Sequence, residues 1–257
     1  MLNFQDLPDE LVLKVLSYSK TKDLISRGQV SKRVRRISHD STLWVTANLE
    51  NKIVKAELLD IILEKGCRIL NLRHTTIVGS LSSNTKSPLS VLNLSDCDCD
   101  ASIRGLEELL LSCCSLQHLV IEGVYLTATM AVGICKNGKT LQTLNLKGSY
   151  FQGLTCDRGN DFLLEILKCC QDLKEVDLSY IDDGKRLTEE NLAFLAKTIS
   201  PNLEKLNLCR SLITEDHIKI LRRRCNKIKS LSARTIQYDS FKLTNTRTHV
   251  NFIFEKE

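Results

Sequence analysis

The chain has no run of apolar residues approaching the roughly 20 needed to cross a bilayer. Its first residues, with Asp6, Asp9 and Glu10, lack the basic-then-apolar order of an export signal. No long tract of one charge sign exists either. The formal net charge of +5 arises from acids and bases interspersed along the chain, which is not the footprint of a nucleic-acid binder. These absences lead us to expect a protein of the cytosol or nucleus with neither membrane nor nucleic acid among its partners. Eleven cysteines would suggest disulfides in a secreted chain of 257 residues, but without an export signal a reducing compartment keeps thiols free. What is plentiful is apolar side chain, 42% of the sequence, enough for a continuous core.

The strongest pattern is a repeat. The motif apolar-x-x-apolar-x-apolar returns at CRILNL (67–72), LSVLNL (89–94), LQHLVI (116–121), LQTLNL (141–146), LKEVDL (173–178), LEKLNL (203–208) and IKSLSA (228–233). Its fourth positions are Leu70, Leu92, Leu119, Leu144, Val176, Leu206 and Leu231, spaced 22, 27, 25, 32, 30 and 25 residues apart. Most of these steps fall near the roughly 20 to 29 residues of a leucine-rich repeat, and the longer two allow loop insertions.

Within each copy the last apolar positions alternate with polar or small ones, the period of a half-buried strand. Between copies the period changes: segments 103–114, 161–170, 189–199 and 216–225 space apolar residues three and four apart, as a helix packed on one face requires. Thr188 and Thr214, each followed by acids, are expected to cap two of these helices. The resulting fold class is α/β: strand, turn and helix stacked into a solenoid, with a curved parallel sheet inside and helices outside. The tail departs from the repeat, and HVNFIF (249–254) is expected as a last strand or cap.

Cys113, Cys170 and Cys225 each precede the first apolar residue of a copy by three positions, and Cys97 follows Leu94 by three. That placement fits small thiols filling turn interiors. A zinc site needs four ligands at close paired spacing, which Cys97, Cys99, Cys113 and Cys114 do not supply. GICKNGKT (133–140) matches a phosphate-binding loop letter for letter. The loop works when a strand precedes it and a helix follows, whereas here a helix-like stretch precedes and a strand follows, so Gly138 reads as a helix C-cap. The histidines at 39, 74, 118, 217 and 249 form no catalytic arrangement, and His118 on its strand is expected at the surface. Arg222 to Arg224 and the pairs Lys32-Arg33 and Arg35-Arg36 read as solvated helix faces.

Ahead of the repeats stands a different segment, which reads as three short helices. Pro8 suits a first helical position, Asp9 and Glu10 the first turn, and Leu7, Leu11, Val12, Val15 and Leu16 one apolar stripe. Asp23 is placed to cap a second helix through Leu24 and Ile25, Ser31 a third carrying Val34 and Ile37, and Trp44 anchors the end. So small a unit buries too little surface to stand alone, which asks for a partner. Leu-Pro-Asp-Glu at 7–10, Asp23-Leu24, Val30 with Ser31-Lys32, and Asp40 followed by Leu43-Trp44 together resemble the F-box family.

With repeats directly after it, the chain resembles the F-box and leucine-rich-repeat receptors, divided as an F-box at 1–49, about seven repeats at 50–234 and a cap or tail at 235–257. The resemblance implies a non-catalytic, cofactor-free substrate-recognition subunit of an SCF-type cullin-RING ubiquitin ligase. It also implies docking on an adaptor of the S-phase kinase-associated family and, through it, a cullin. Leu7, Pro8, Glu10, Leu11, Val15, Leu16, Leu24, Val30, Lys32 and Trp44 match positions that either hold the box together or face the adaptor. The alternative is a non-ligase scaffold whose N-terminus only caps the repeats.

A protein substrate is expected on the inner sheet face. One column there is Asn71, Asn93, Val120, Asn145, Asp177, Asn207 and Ser232; beside it run Arg73, Ser95, Glu122, Lys147, Ser179, Cys209 and Arg234. The charged members of the second column, together with Lys205, are the stronger recognition candidates.

Overall fold

The computed structural model describes residues 7–19, 24, 31–82, 87–151, 158–181, 189–235, 241–246 and 249–253. In chain order the elements begin with α1 (Asp9–Ser17), α2 (Lys32–Ser38), a 3-10 turn (Ser41–Trp44), β1 (Thr46–Asn48), β2 (Ile53–Lys55), α3 (Ala56–Glu64), β3 (Ile69–Asn71) and β4 (Thr76–Val78). They continue with β5 (Val91–Asn93), α4 (Cys99–Ser112), β6 (His118–Val120), β7 (Tyr125–Leu126), α5 (Ala128–Lys136), β8 (Thr143–Asn145), β9 (Tyr150–Phe151), α6 (Arg158–Cys169) and β10 (Glu175–Asp177). The last are α7 (Glu189–Thr198), β11 (Lys205–Ile213), α8 (Glu215–Arg224), β12 (Ser230–Thr235), β13 (Phe241–Thr246) and β14 (His249–Ile253).

Parallel strands need a crossover between them, and the helices α4 to α8 each supply one. The outcome is a mixed α/β fold whose main sheet has the order β1-β3-β5-β6-β8-β10-β11-β12-β13-β14. Pairing is parallel from β1 through β12 and antiparallel from β12 to β14. Register sets the fourth residues of the seven motif copies side by side, from Leu70 to Leu231. Ala47 of β1 stands beside Leu70 and begins the row. All eight are buried, and a leucine taken fully out of water contributes about 1.5 to 3 kcal/mol. Short parallel pairs, β2 with β4 and β7 with β9, lie outside the main sheet. The segment expected as a last strand or cap is β14, beside β13.

Helix starts follow their capping residues. The hydroxyl of Thr214 accepts from the His217 amide at 3.3 Å while His217 Nδ1 accepts from the Thr214 amide at 3.2 Å, closing a capping box. Thr127 caps α5 through the Met130 amide at 3.2 Å. Thr188 lies outside the described residues. At the end of α5 the expectation for Gly138 needs correction. Asn137 is the C-cap, and Gly138 lacks the left-handed backbone that favours glycine there. Gly138 is small for another reason: a Cβ would stand 2.5 Å from the carbonyl oxygen of Cys169. Gly133 is confined likewise, 2.9 Å from Leu110 Cβ. Buried Asn137 fills its own hydrogen-bonding capacity, donating to the carbonyls of Cys113 and Gly133 at 3.2 and 3.0 Å and accepting from the Leu116 amide at 3.0 Å.

At the N-terminus α1 packs on α2 and on the 3-10 turn. Pro8 is the N-cap rather than the first helical residue, and Ser31 caps α2 by accepting from the Val34 amide at 3.1 Å. The expected second helix lies outside the described residues apart from Leu24, which is buried. Trp44 is buried too and donates its indole N–H to the Ser38 carbonyl at 2.7 Å.

Candidate functional site

Steps of four and three residues return to one side of a helix, so Leu11, Val15 and Tyr18 align. They are 47%, 44% and 81% exposed, whereas Val12 and Leu16 are each 1% exposed. The single stripe expected from the sequence therefore divides in two. Val12 and Leu16 join Leu24, Ile37 and Trp44 in the core; Leu11, Val15 and Tyr18 form an apolar face turned to water. Leu7 packs partly buried on the core, while Pro8, Glu10 and Lys32 are exposed. Val30 lies outside the described residues. Sequence reasoning missed Tyr18, although its place seven residues after Leu11 is the signal that could have found it.

An ionic clip fixes this face. Asp9 accepts from Arg33 Nε at 2.8 Å and is also paired with Arg36; Arg33 further donates to the Leu7 carbonyl. The hydrogen bond from Arg33 holds the Asp9 carboxyl below its ordinary pKa.

On the main sheet, the residues flanking the buried row face away from the core. The predicted asparagine column sits at the third residue of β3, β5, β6, β8, β10, β11 and β12 and does a local task. Asn71, Asn93, Asn145, Asp177 and Asn207 each accept, through Oδ1, the backbone N–H two residues on, at 2.8 to 3.1 Å. These contacts bend the chain out of β3, β5, β8 and β10, and in β11 the contact precedes the register shift after Leu208. Asn145 Nδ2 donates to Glu122 at 2.7 Å, and Asn207 Nδ2 to Asp177 at 2.9 Å. The second column requires a correction, because Ser95 and Ser179 are buried. Their hydroxyls donate to Asn93 and Asp177 at 2.7 and 2.6 Å and complete the same turns.

Of the charged candidates, exposed Arg73 pairs with Asp96 at 3.4 Å, Glu122 is half-buried against Asn145, and Lys147 is exposed. Lys205 pairs with Glu175 at 2.7 Å, which raises its pKa. Arg234 lies on β12. Lys205 belongs to the column on the other side of the buried row, of which the expectation left out Ile69, Val91, Thr143 and Glu175 as recognition candidates and took His118 only as a surface residue. Period-two alternation gives these residues the same outward face as the asparagines. His118 is half-buried there, its Nδ1 3.0 Å from the Thr143 hydroxyl.

Residues 4–50 match the F-box-like family model. The F-box-like domain thus contains α1, α2, the 3-10 turn and β1, so one unit carries both the exposed apolar face and the first row of the sheet. Its last residues are tied into that sheet by the amides of Arg68 and Ile69, which donate to the Val45 carbonyl at 2.9 and 3.0 Å.

Cys67, Cys97, Cys113, Cys170 and Cys225 are buried. Cys97 donates to the Leu72 carbonyl at 3.0 Å, Cys113 to that of Leu109 at 3.2 Å, and Cys225 to that of Ser200 at 3.3 Å. Burial pushes Cys67 up to about 11 and Cys113 and Cys170 up to about 12, which suppresses the thiolate a nucleophile requires. In the phosphate-loop look-alike, Thr140 donates its hydroxyl to the Leu116 carbonyl at 2.8 Å, and both glycines are pressed against neighbouring helices. The motif supplies helix packing.

Proposed function

We propose that the chain is the substrate-recognition subunit of an SCF-type cullin-RING ubiquitin ligase. The F-box-like domain docks on an adaptor of the S-phase kinase-associated family through Leu11, Val15 and Tyr18, and through the adaptor on a cullin. The parallel sheet and its helices, read as a leucine-rich-repeat solenoid, hold a protein substrate. LQHLVIEGVYL (116–126) resembles S-phase kinase-associated protein two among receptors of this kind. On this reading the chain performs no bond chemistry and needs no cofactor; it raises the concentration of substrate beside the ubiquitin-charged enzyme.

The observation that carries the proposal is the apolar face of α1, left in water within the segment that matches the F-box-like model. Large apolar side chains on a partnerless face mark a docking site. Co-expression with the adaptor tests it. A stoichiometric complex is expected, and the double substitution Leu11→Asp with Val15→Asp weakens it by about a hundredfold, as loss of central interface anchors does. A well-folded monomer with no affinity for the adaptor would favour the scaffold reading instead, whose own support is that β1 already covers β3 as a cap would.

A further inference from the structure

The rim of the sheet where the strands begin carries more ammonium groups than carboxylates. Just ahead of each strand, the amides of Gln142, Lys174, Glu204 and Lys229 donate to the carbonyl of the preceding copy at 2.7 to 2.8 Å, which holds their side chains in a row. An open cleft of about 440 Å³ runs along this row, lined by Lys139, Lys174 and Lys227 with Asp172 and Glu204. Glu204 is engaged by the ammonium of Lys229. Lys174 and Lys227 also lie within electrostatic reach of Glu204, so this one carboxylate serves three ammonium groups. Lys174 donates to the neutral amide of Gln142 at 3.1 Å and Lys227 to that of Asn202 at 2.9 Å. Lys139 forms no hydrogen bond or ion pair with the described residues. By contrast Lys205, on the sheet face, is neutralised by Glu175.

We propose that this cleft docks a short acidic segment of a protein partner, its carboxylates meeting Lys139, Lys174 and Lys227. The three lysines come from copies separated by three inter-strand steps, or about 14 Å at strand spacing. An extended peptide covers that distance in about four to five residues, so a run of alternating acids spans the cleft. A nucleotide is the poorer occupant, because the glycines beside Lys139 are closed against backbone and Thr140 is turned to a carbonyl. The inference deepens the receptor reading by giving its partner a chemistry. Its test needs neither adaptor nor ubiquitin, so failure here leaves adaptor docking untouched.

Fluorescence anisotropy of a labelled peptide alternating Asp and Ser, titrated with the full chain, reads the interaction directly. The expected result is saturable binding that weakens with salt and falls by about tenfold or more in the triple variant Lys139→Glu, Lys174→Glu, Lys227→Glu. Lys55→Glu, an exposed residue of β2 at the other end of the sheet, leaves it within about twofold. The charge-neutral set Lys139→Gln, Lys174→Gln, Lys227→Gln gives an intermediate loss at an unchanged melting temperature. Affinity that survives the triple reversal in a folded protein overturns the proposal, as does an equal loss in Lys55→Glu or the absence of saturable binding.

Discussion

The N-terminal helices and the repeating sheet are built from the same apolar side chains and treat them differently. In the sheet the residues that recur at the motif's fourth position are all buried, because each copy is covered by the next. In α1 an equally apolar set splits, Val12 and Leu16 going inward and Leu11, Val15 and Tyr18 staying in water. A stacked unit finds its cover within its own chain; the first helix does not. Periodicity alone announces an apolar stripe and is silent on what will cover it, so the division within α1 needs three-dimensional packing to be seen.

Substitutions at matched positions sharpen this contrast. Leu144→Ala, in the middle of the buried row, is expected to cost about 2 to 5 kcal/mol in denaturant unfolding, through lost transfer energy and a cavity. The pair Leu11→Asp and Val15→Asp, which should abolish tight adaptor docking, leaves the melting temperature near that of the parent. A fall as large as that of Leu144→Ala would erase the distinction between the two regions. Gly138→Ala, which drives a methyl group against the Cys169 carbonyl, destabilises by about 1 to 3 kcal/mol; unchanged stability would show that the helices can part there.

The smallest effect belongs to the clip. Arg33 and Arg36 lower the pKa of Asp9, so the stability this carboxylate contributes is complete above the ordinary aspartate range and is lost as pH falls through the lowered value. Melting curves of Asp9→Asn and the parent should therefore differ slightly near neutral pH, converge in acid, and draw together at high salt as expected for exposed ion pairs.

The sheet was the legible part, since seven copies of one motif with matched strand spacing leave few arrangements. One row was hidden all the same. WVTANL (44–49) obeys the motif, with Trp44 in the first place and Ala47 in the fourth, yet its tryptophan reads equally well as the end of the preceding helices. Only the register of Ala47 beside Leu70 reveals its second identity. Helix α3 shows the same periodicity in AELLDIILE but falls between the two patterns that drew the reading. The inward turn of Ser95 and Ser179 is invisible to strand alternation because both residues lie beyond the strands, where the neighbouring Asn93 and Asp177 side chains set the backbone's course. The strands β7 and β9, two residues each, are too short for any period to register.

Trp44 to Leu49 belongs at once to the closing turn of the helices and to the opening row of the sheet, so the two share a joint without slack. Whatever grips the first helix also sets the tilt of every row behind it. On the proposed receptor reading, a few flexible residues spliced in after Trp44 would leave each grip intact while letting the cargo swing, and delivery should then suffer although attachment does not.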